Sequence, residues 1–298
     1  MDFQSILNSK PVIQLGQLLG RTLPPRAGYG IARGIAWLIT RFKPRMVPIV
    51  QANLRQILGP DGDPSRLDEL TFQLILHAGT TIYDFFHAVG QPPAELARMI
   101  PIPDASLMEL KKAQKAGKGV LILGVHLSNF DLAMLAFGLH GLPIQALSLA
   151  DPQTGFRILN RLRAEAGFEI TPITPHALRQ AVQRLKRGGI VMMAADWPDP
   201  GERELVPFFG RPSYLPLGPA RLARLTRAAV FLGACHYTPE TGYFLEINGP
   251  VDMVKTADRQ SDISTNTRRL AEWIEAQIRC SPEQWLMFHP FWPEIGES

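Results

Sequence analysis

Cysteine is almost absent from this chain of 298 residues, which contains only Cys235 and Cys280. Two cysteines so far apart provide neither a disulfide framework nor the paired spacing of a zinc site. We therefore expect a reducing compartment, no bound metal and two ordinary small core residues.

Several short catalytic signatures are also missing. The chain has no Walker glycine loop, no G-x-S-x-G nucleophile elbow and no H-E-x-x-H zinc motif. The glycine-rich stretch 28–34 is one residue too long for a dinucleotide fingerprint and follows prolines instead of a strand. These absences argue against the nucleotide-binding, serine hydrolase and zinc protease classes that depend on those motifs.

Long apolar runs are lacking as well. The stretch 132–150 has 19 residues without a charge, but two glycines, a histidine and a proline divide it into a helix and a strand. A cleavable leader pattern is not recognisable. We expect a peripheral protein on the cytoplasmic face of the inner membrane.

Acidic residues are scarce at the beginning of the chain, where Asp2 is the single acid among the first 60 residues. The same 60 residues include eight basic ones, so their net charge is +7 (8 − 1). Because the net charge of the whole chain is +4, the net charge of the remaining residues is −3. Basic residues interleaved with apolar ones favour an anionic partner surface.

The stretch 29–42 indicates that this anionic partner is a membrane and not a nucleic acid. Five apolar residues recur at helical spacing, with Trp37 nearby and basic residues at the flanks; the five are Ile31, Ile35, Leu38, Ile39 and Phe42. This pattern predicts a helix lying in the interface of a bilayer that contains anionic lipids. The alternative is a core-facing helix with solvated arginines. No nucleic acid is expected, because the basic excess is confined to this amphipathic region.

From residue 105 onward, helical and strand patterns alternate. Apolar strands are predicted at 120–125, 144–149, 168–171, 190–195, 230–237 and 243–247, with helices between most of them. The alternation predicts an α/β fold with a mixed, mainly parallel sheet flanked by helices. We divide the chain into a basic amphipathic helical part (1–64) and a larger domain (65–298). In the apolar helix 66–89, His77 and His87 are predicted to be hydrogen-bonded core or boundary histidines, not ligands.

A histidine and an acid follow the first of these strands. His126 comes at the strand end, Asp131 five residues later, and ligands of parallel sheets bind beyond such ends. One hypothesis is a general base, His126, oriented by Asp131. The other is a helix cap, because Ser128 and Asp131 have the spacing of a capping box. The two roles are compatible.

The segment from His126 to Asp131, His-Leu-Ser-Asn-Phe-Asp, resembles the His-x-x-Asn-aromatic-acid motif of bacterial lysophospholipid-type acyltransferases. The resemblance is closest to the lipid A late acyltransferases (lauroyl and myristoyl transferases) and the phosphatidylinositol mannoside acyltransferases. It covers most of the chain from about residue 70, because further similar blocks follow in the same order. These are residues 160–167, Asp196, 206–210, 215–220 and 282–285.

The resemblance implies a glycerolipid acyltransferase-like domain that moves a fatty acyl chain from a thioester to a hydroxyl of a glycolipid. The donor is acyl-CoA or acyl-carrier protein, with no permanently bound cofactor. His126 is the implied base and Asp131 its partner. The implied substrate-binding residues are Asn129, Arg163, Arg161 as a second choice, and Asp196.

Some positions depart from the family pattern. Ser128 stands where glycine is usual and Phe130 where tryptophan is common, while a Phe-His-Pro-Phe-Trp-Pro ending replaces the usual basic one. These differences leave the identity of the acceptor open. A thioesterase or lipase-type hydrolase using the same pair and a non-enzymatic lipid-binding protein are the alternatives. Phe208 and Phe209 are expected either in an acyl slot or in the core.

Overall fold

The computed structural model describes residues 10–60, 62–149, 154–197 and 202–292. Among these residues, six helices precede the first strand: α1 (Lys10–Thr22), α2 (Pro25–Phe42), α3 (Met46–Leu58), α4 (Pro64–Val89), α5 (Pro93–Met99) and α6 (Asp104–Lys115). Five more follow it: α7 (Phe130–Gly138), α8 (Thr154–Glu165), α9 (Pro175–Lys186), α10 (Gly218–Thr226) and α11 (Arg259–Cys280). A 3₁₀ turn at Pro282–Gln284 comes after α11.

The central sheet has six strands in the order β3-β2-β4-β1-β7-β8. They are β1 (Val120–Gly124), β2 (Ile144–Ser148), β3 (Glu169–Pro172), β4 (Ile190–Ala194), β7 (Ala229–Thr238) and β8 (Gly242–Val251). All neighbours are parallel except β7 and β8, which form an antiparallel hairpin. The predicted mixed, mainly parallel sheet is confirmed.

The two faces of the sheet are both covered. In β1, Leu121 and Leu123 belong to one apolar cluster, whereas Val120 and Ile122 belong to another on the opposite face. Near-continuous apolar strands are the expected result when helices pack on both sides. Cys235 is buried in the second cluster, but Cys280 is exposed at the end of α11, so the core prediction is wrong for Cys280.

The strand register places two polar residues side by side. Gly124 at the end of β1 pairs with Ala194 at the end of β4. His126 follows β1 by two residues and Asp196 follows β4 by two residues. The two side chains therefore lie next to each other, just beyond the carboxyl ends of two neighbouring central strands.

Helix α4 is the buried helix that the apolar pattern predicts. Its N-terminal cap is Asp63, whose carboxylate accepts a hydrogen bond from the Ser65 backbone N–H at 2.9 Å. The carboxylate of Asp63 occupies the capping position because Pro64 fixes the first helical residue and places Ser65 inside the helix. His77 is buried, and His87 hydrogen-bonds through Nδ1 to the Gly20 carbonyl oxygen at 2.8 Å.

Helix α2 packs on α4 through its small residues, not through its large apolar ones. Gly28, Ala32 and Ala36 are the buried residues of α2, and a Cβ at Gly28 would come within 2.3 Å of the Tyr83 ring. Most of the large apolar side chains face outward, with Trp37 59% and Phe42 75% exposed, whereas Ile39 packs against a small buried cluster. The face of α2 that packs on α4 is therefore its small-residue face, and most of the predicted apolar stripe lies outside this contact. Among the described helices, none is long and apolar enough to cross a membrane.

A second, two-stranded sheet consists of β5 (Arg203–Phe208) and β6 (Arg211–Pro216). Phe208 at the end of β5 is fully buried, with ring centroids 5.0 Å from Phe291 and 5.7 Å from Trp292. Phe209 is also buried. Both phenylalanines therefore belong to the core, and the acyl-slot alternative is not supported for them.

Candidate active site

His126 and Asp196 form the polar centre at the carboxyl edge of the sheet. The Nδ1 atom of His126 lies 2.7 Å from Oδ1 of Asp196, and the backbone N–H of His126 donates to Oδ2 at 2.9 Å. The aspartate side chain is fully buried, whereas one fifth of the imidazole is exposed. Two bonds from one residue to one carboxylate fix both the loop and the ring orientation.

The C-terminal segment closes the back of this centre. Trp285 is buried, and its indole Nε1–H donates to Oδ2 of Asp196 at 3.0 Å. The neighbouring backbone also binds the His126 loop, because Leu286 N–H donates to the His126 carbonyl oxygen and Ser128 N–H donates to the Gln284 carbonyl oxygen. The segment therefore supports both members of the pair.

The charge of Asp196 is stabilised in spite of its burial. Burial alone would raise the pKa of this carboxyl group, but the adjacent His126 imidazole and the hydrogen bonds from His126 and Trp285 hold the pKa below its ordinary value. An ionised Asp196 is an acceptor only, so Nδ1 of a neutral His126 carries the proton. Its Nε2 atom then has a free lone pair, as a general base requires.

Aromatic rings flank the imidazole on two sides. The Phe130 ring centroid lies 4.9 Å from that of His126, and the Trp197 ring centroid lies 5.1 Å away. Trp197 in turn contacts the ring of His289 at 5.1 Å. These rings give the imidazole apolar neighbours on two sides.

Asp131 does not pair with His126 as predicted. Its Oδ1 accepts two hydrogen bonds from Arg163, from Nε at 2.8 Å and from Nη2 at 2.5 Å, and Nη1 of Arg163 donates to Asn160. The reason is the direction of the first turn of α7, which points Asp131 toward α8. The carboxylate that orients the imidazole is Asp196.

The cap of α7 also differs from the prediction. Asn129 is the N-cap: its Oδ1 accepts from Leu132 N–H at 3.1 Å, while its Nδ2 donates to the Thr81 carbonyl oxygen. Ser128 lies one residue earlier, fully buried, in the left-handed region at φ 50°. Asn129 therefore orients the loop and does not point at a substrate.

The remaining predicted binding residues lie in different surroundings. Asp196 is enclosed by His126 and Trp285, so it is not placed to bind a sugar hydroxyl. The guanidinium of Arg163 is buried and turned toward Asp131 and Asn160 instead of the surface anions Glu165 and Glu169. Arg161 is exposed on α8.

Sequence reasoning found His126 and Asp196 but not their pairing. Each residue follows a predicted strand end, which is a usable signal, but the partner of β1 in the sheet cannot be read from one sequence. Trp285 was found only as part of a family block, and its bond to Asp196 crosses 89 residues of chain. In the described part of the chain, no group of three or more His, Cys, Asp and Glu side chains suits a metal ion.

Comparisons with known proteins place these residues in a family context. The profile described as bacterial lipid A biosynthesis acyltransferase matches residues 12–294. A phosphatidylinositol mannoside acyltransferase of Mycobacterium tuberculosis (strain CDC 1551 / Oshkosh) is 26% identical over 84% of this chain and 78% of its own length. Proteins of the same name from M. tuberculosis H37Rv and Mycolicibacterium smegmatis are 27% and 26% identical, over 64% and 60% of their lengths.

Proposed function

The chain belongs to the bacterial lipid A biosynthesis acyltransferase family, and from this premise we propose that His126 is the general base of acyl transfer to a glycolipid hydroxyl. Membership makes the chain an acyltransferase that acts on glycolipids. The donor, the acceptor hydroxyl and the roles of individual side chains are the proposal. The observation that supports this proposal most strongly is the distance of 2.7 Å between Nδ1 of His126 and Oδ1 of the buried Asp196.

In the proposed reaction, the acceptor hydroxyl attacks the carbonyl carbon of an acyl thioester. His126 Nε2 takes the hydroxyl proton as the new C–O bond forms, and Asp196 stabilises the resulting imidazolium. The imidazolium then returns the proton to the leaving thiolate when the C–S bond breaks. Direct transfer is preferred, because the nearby hydroxyl of Ser128 is fully buried and bonded to His77.

The proposed donor is acyl-CoA or acyl-carrier protein, and the proposed acceptor class is a mannosylated phosphoinositide. The acceptor proposal takes its support from the shared name of the three relatives. Arg161, which is exposed on α8, is the proposed contact for an anionic group of the donor or acceptor. Asp131 and Arg163 are proposed to support the site by joining α7 to α8.

The protein is proposed to act on the cytoplasmic face of the membrane without crossing it. The outward apolar side chains of α2, together with Arg33 and Arg41 on the same helix, support binding to a surface of anionic lipids. Trp37 is suited to the headgroup region of such a surface.

The test uses the purified full chain with palmitoyl-CoA or palmitoyl-carrier protein, each with and without a mannosylated phosphoinositide or a lipid A precursor. Mass spectrometry follows the acylated lipid, and a thiol reagent follows the released donor. We expect acceptor-dependent thiol release with one acylated lipid, and loss of both signals in H126A. Thiol release at the same rate without acceptor would identify a hydrolase instead.

A further inference from the structure

The catalytic loop is the segment 125–129, which joins β1 to α7 and carries His126. We infer that His77, on α4, is a positioning residue that holds this loop in its working conformation through the hydroxyl of Ser128. This inference rests on the proposed role of His126. It concerns a side chain that lies outside the family blocks and that the sequence predicts to be an ordinary core histidine. The evidence is a backbone conformation, a buried hydrogen bond and the spacing of polar groups along α4.

The conformation of Ser128 is the first observation. Its φ of 50° lies in the left-handed region, which serine adopts at a cost because its Cβ crowds the following carbonyl group. Ser128 is fully buried and stands two residues after His126. A residue in this conformation at this place keeps it only when its surroundings hold it there.

The hydrogen bond to His77 is the second observation. Nε2 of His77 and Oγ of Ser128 lie 3.0 Å apart, and His77 is 9% exposed. Burial lowers the pKa of His77 to about 4, so the ring is neutral near pH 7 and bonds to the hydroxyl as a neutral partner. Without Ser128, a buried imidazole nitrogen at this point would lose its partner, which is costly.

The third observation is that α4 serves the loop at two successive turns. His77 binds Ser128, and the carbonyl oxygen of Thr81, four residues further, accepts a hydrogen bond from Asn129 Nδ2 at 3.0 Å. Residues four apart lie on the same face of a helix. One face of α4 therefore fixes two adjacent residues of the loop, while Gln284 accepts the Ser128 N–H from the other side at 2.7 Å.

This arrangement explains why a serine is compatible with a turn that favours glycine. The side chain of Ser128 makes the left-handed conformation less favourable, and the bond to His77 compensates for it. A glycine would need no such support, because it adopts positive φ without a steric penalty. The effect of removing His77 should therefore depend on which residue occupies position 128.

The test is a double-mutant cycle with H77F, S128G and the double variant. H77F is expected to lower kcat about tenfold at nearly constant KM, the factor that corresponds to one ordinary hydrogen bond. In the S128G background the same substitution should change kcat less than about twofold. H77Q, whose amide can again bond to the hydroxyl, should recover part of the loss.

The matched control is H236F. His236 is another buried histidine, whose Nε2 lies 2.9 Å from Gln277 Oε1 and 4.0 Å from a carboxylate oxygen of Glu246. H236F should lower the stability of the fold, and its effect on kcat should be the same with Ser128 as with S128G. Equal kcat losses from H77F in both backgrounds would overturn the inference.

A second readout does not depend on activity. Hydrogen exchange of the peptide 126–132 should accelerate in H77F, and this acceleration should be absent when S128G is also present. One outcome is that the effect of H77F on hydrogen exchange depends on residue 128, while the wild-type protein transfers no acyl chain. This result would contradict the proposed function but support the role of His77. Transfer by the wild type without coupling in either readout would contradict the role of His77 alone.

Discussion

Asp196 binds His126 twice, through the imidazole Nδ1 and through the backbone N–H. The first bond selects the tautomer of the ring, and the second fixes the strand end that carries it. Because the same carboxylate also accepts the indole N–H of Trp285, the C-terminal segment is joined directly to the catalytic pair.

W285F tests the third bond to Asp196. Phenylalanine keeps the buried aromatic packing but removes the donor, so the carboxylate loses one of its hydrogen bonds. We expect kcat to fall about tenfold, because a hydrogen bond to a charged group contributes about 1.5 kcal/mol or more. Steady-state kinetics measure this, with W292F as the control, since Trp292 donates to the Phe208 carbonyl oxygen instead. Equal losses in both variants would mean a general packing effect.

The ion pair of Asp131 and Arg163 is expected to stabilise the fold. Its side chains are 17% and 9% exposed, so each single variant, D131N or R163Q, leaves a polar partner largely shielded from water. We expect each to lower the free energy of unfolding by about 2 to 3 kcal/mol, between the values for exposed and buried pairs. Urea unfolding measures this. The double variant should lose clearly less than the sum, and strict additivity would contradict the pairing.

His77 should make stability depend on pH. Its pKa is about 4 in the folded protein, lowered by burial from an ordinary value of 6.5. Between these values the unfolded chain binds a proton that the folded chain does not, so stability is lost as the pH falls through this window. The slope from this group is at most about 1.4 kcal/mol per pH unit. Urea unfolding of wild type and H77F across the window should differ by this slope, and parallel curves would refute it.

The outward face of α2 should govern membrane binding. Replacing Trp37 and Phe42, which are 59% and 75% exposed, by serine removes two anchors of about 2 kcal/mol each. We expect binding to phosphatidylglycerol-containing vesicles to fall more than tenfold in a sedimentation assay, and wild-type binding to weaken with salt. The control is M108S, which changes an equally exposed residue (63%) on α6. Binding indifferent to the α2 substitutions and to salt would exclude this surface.

The sequence predicted the sheet and helices closely because their patterns are local. Strand β4 was expected at 190–195 and is found at Ile190–Ala194, and the hairpin of β7 and β8 was also recognised. Such elements follow from apolar runs bounded by glycines and from helical spacing. The face of α2 that packs inward was not predictable, because it depends on where Tyr83 of α4 lies.

The site was predictable in its members but not in its connections. The sequence identifies both His126 and Asp196, but it favours Asp131 as the partner of His126 because Asp131 is near in sequence. The correct pairing depends on β1 and β4 being neighbours, and the strand order is a property of the whole sheet. The cap was misplaced by one residue because Ser128 and Asn129 have similar capping preferences.

His126, oriented by Asp196, is the proposed base of acyl transfer. Its most direct test is the initial rate of thioester-to-glycolipid transfer by D196N, compared at equal folded fraction with wild type and D131N. We predict a loss of about 100-fold or more for D196N, because the amide can no longer stabilise the imidazolium, and a much smaller loss for D131N. A D196N rate within about twofold of wild type, or a larger loss in D131N than in D196N, would contradict the claim.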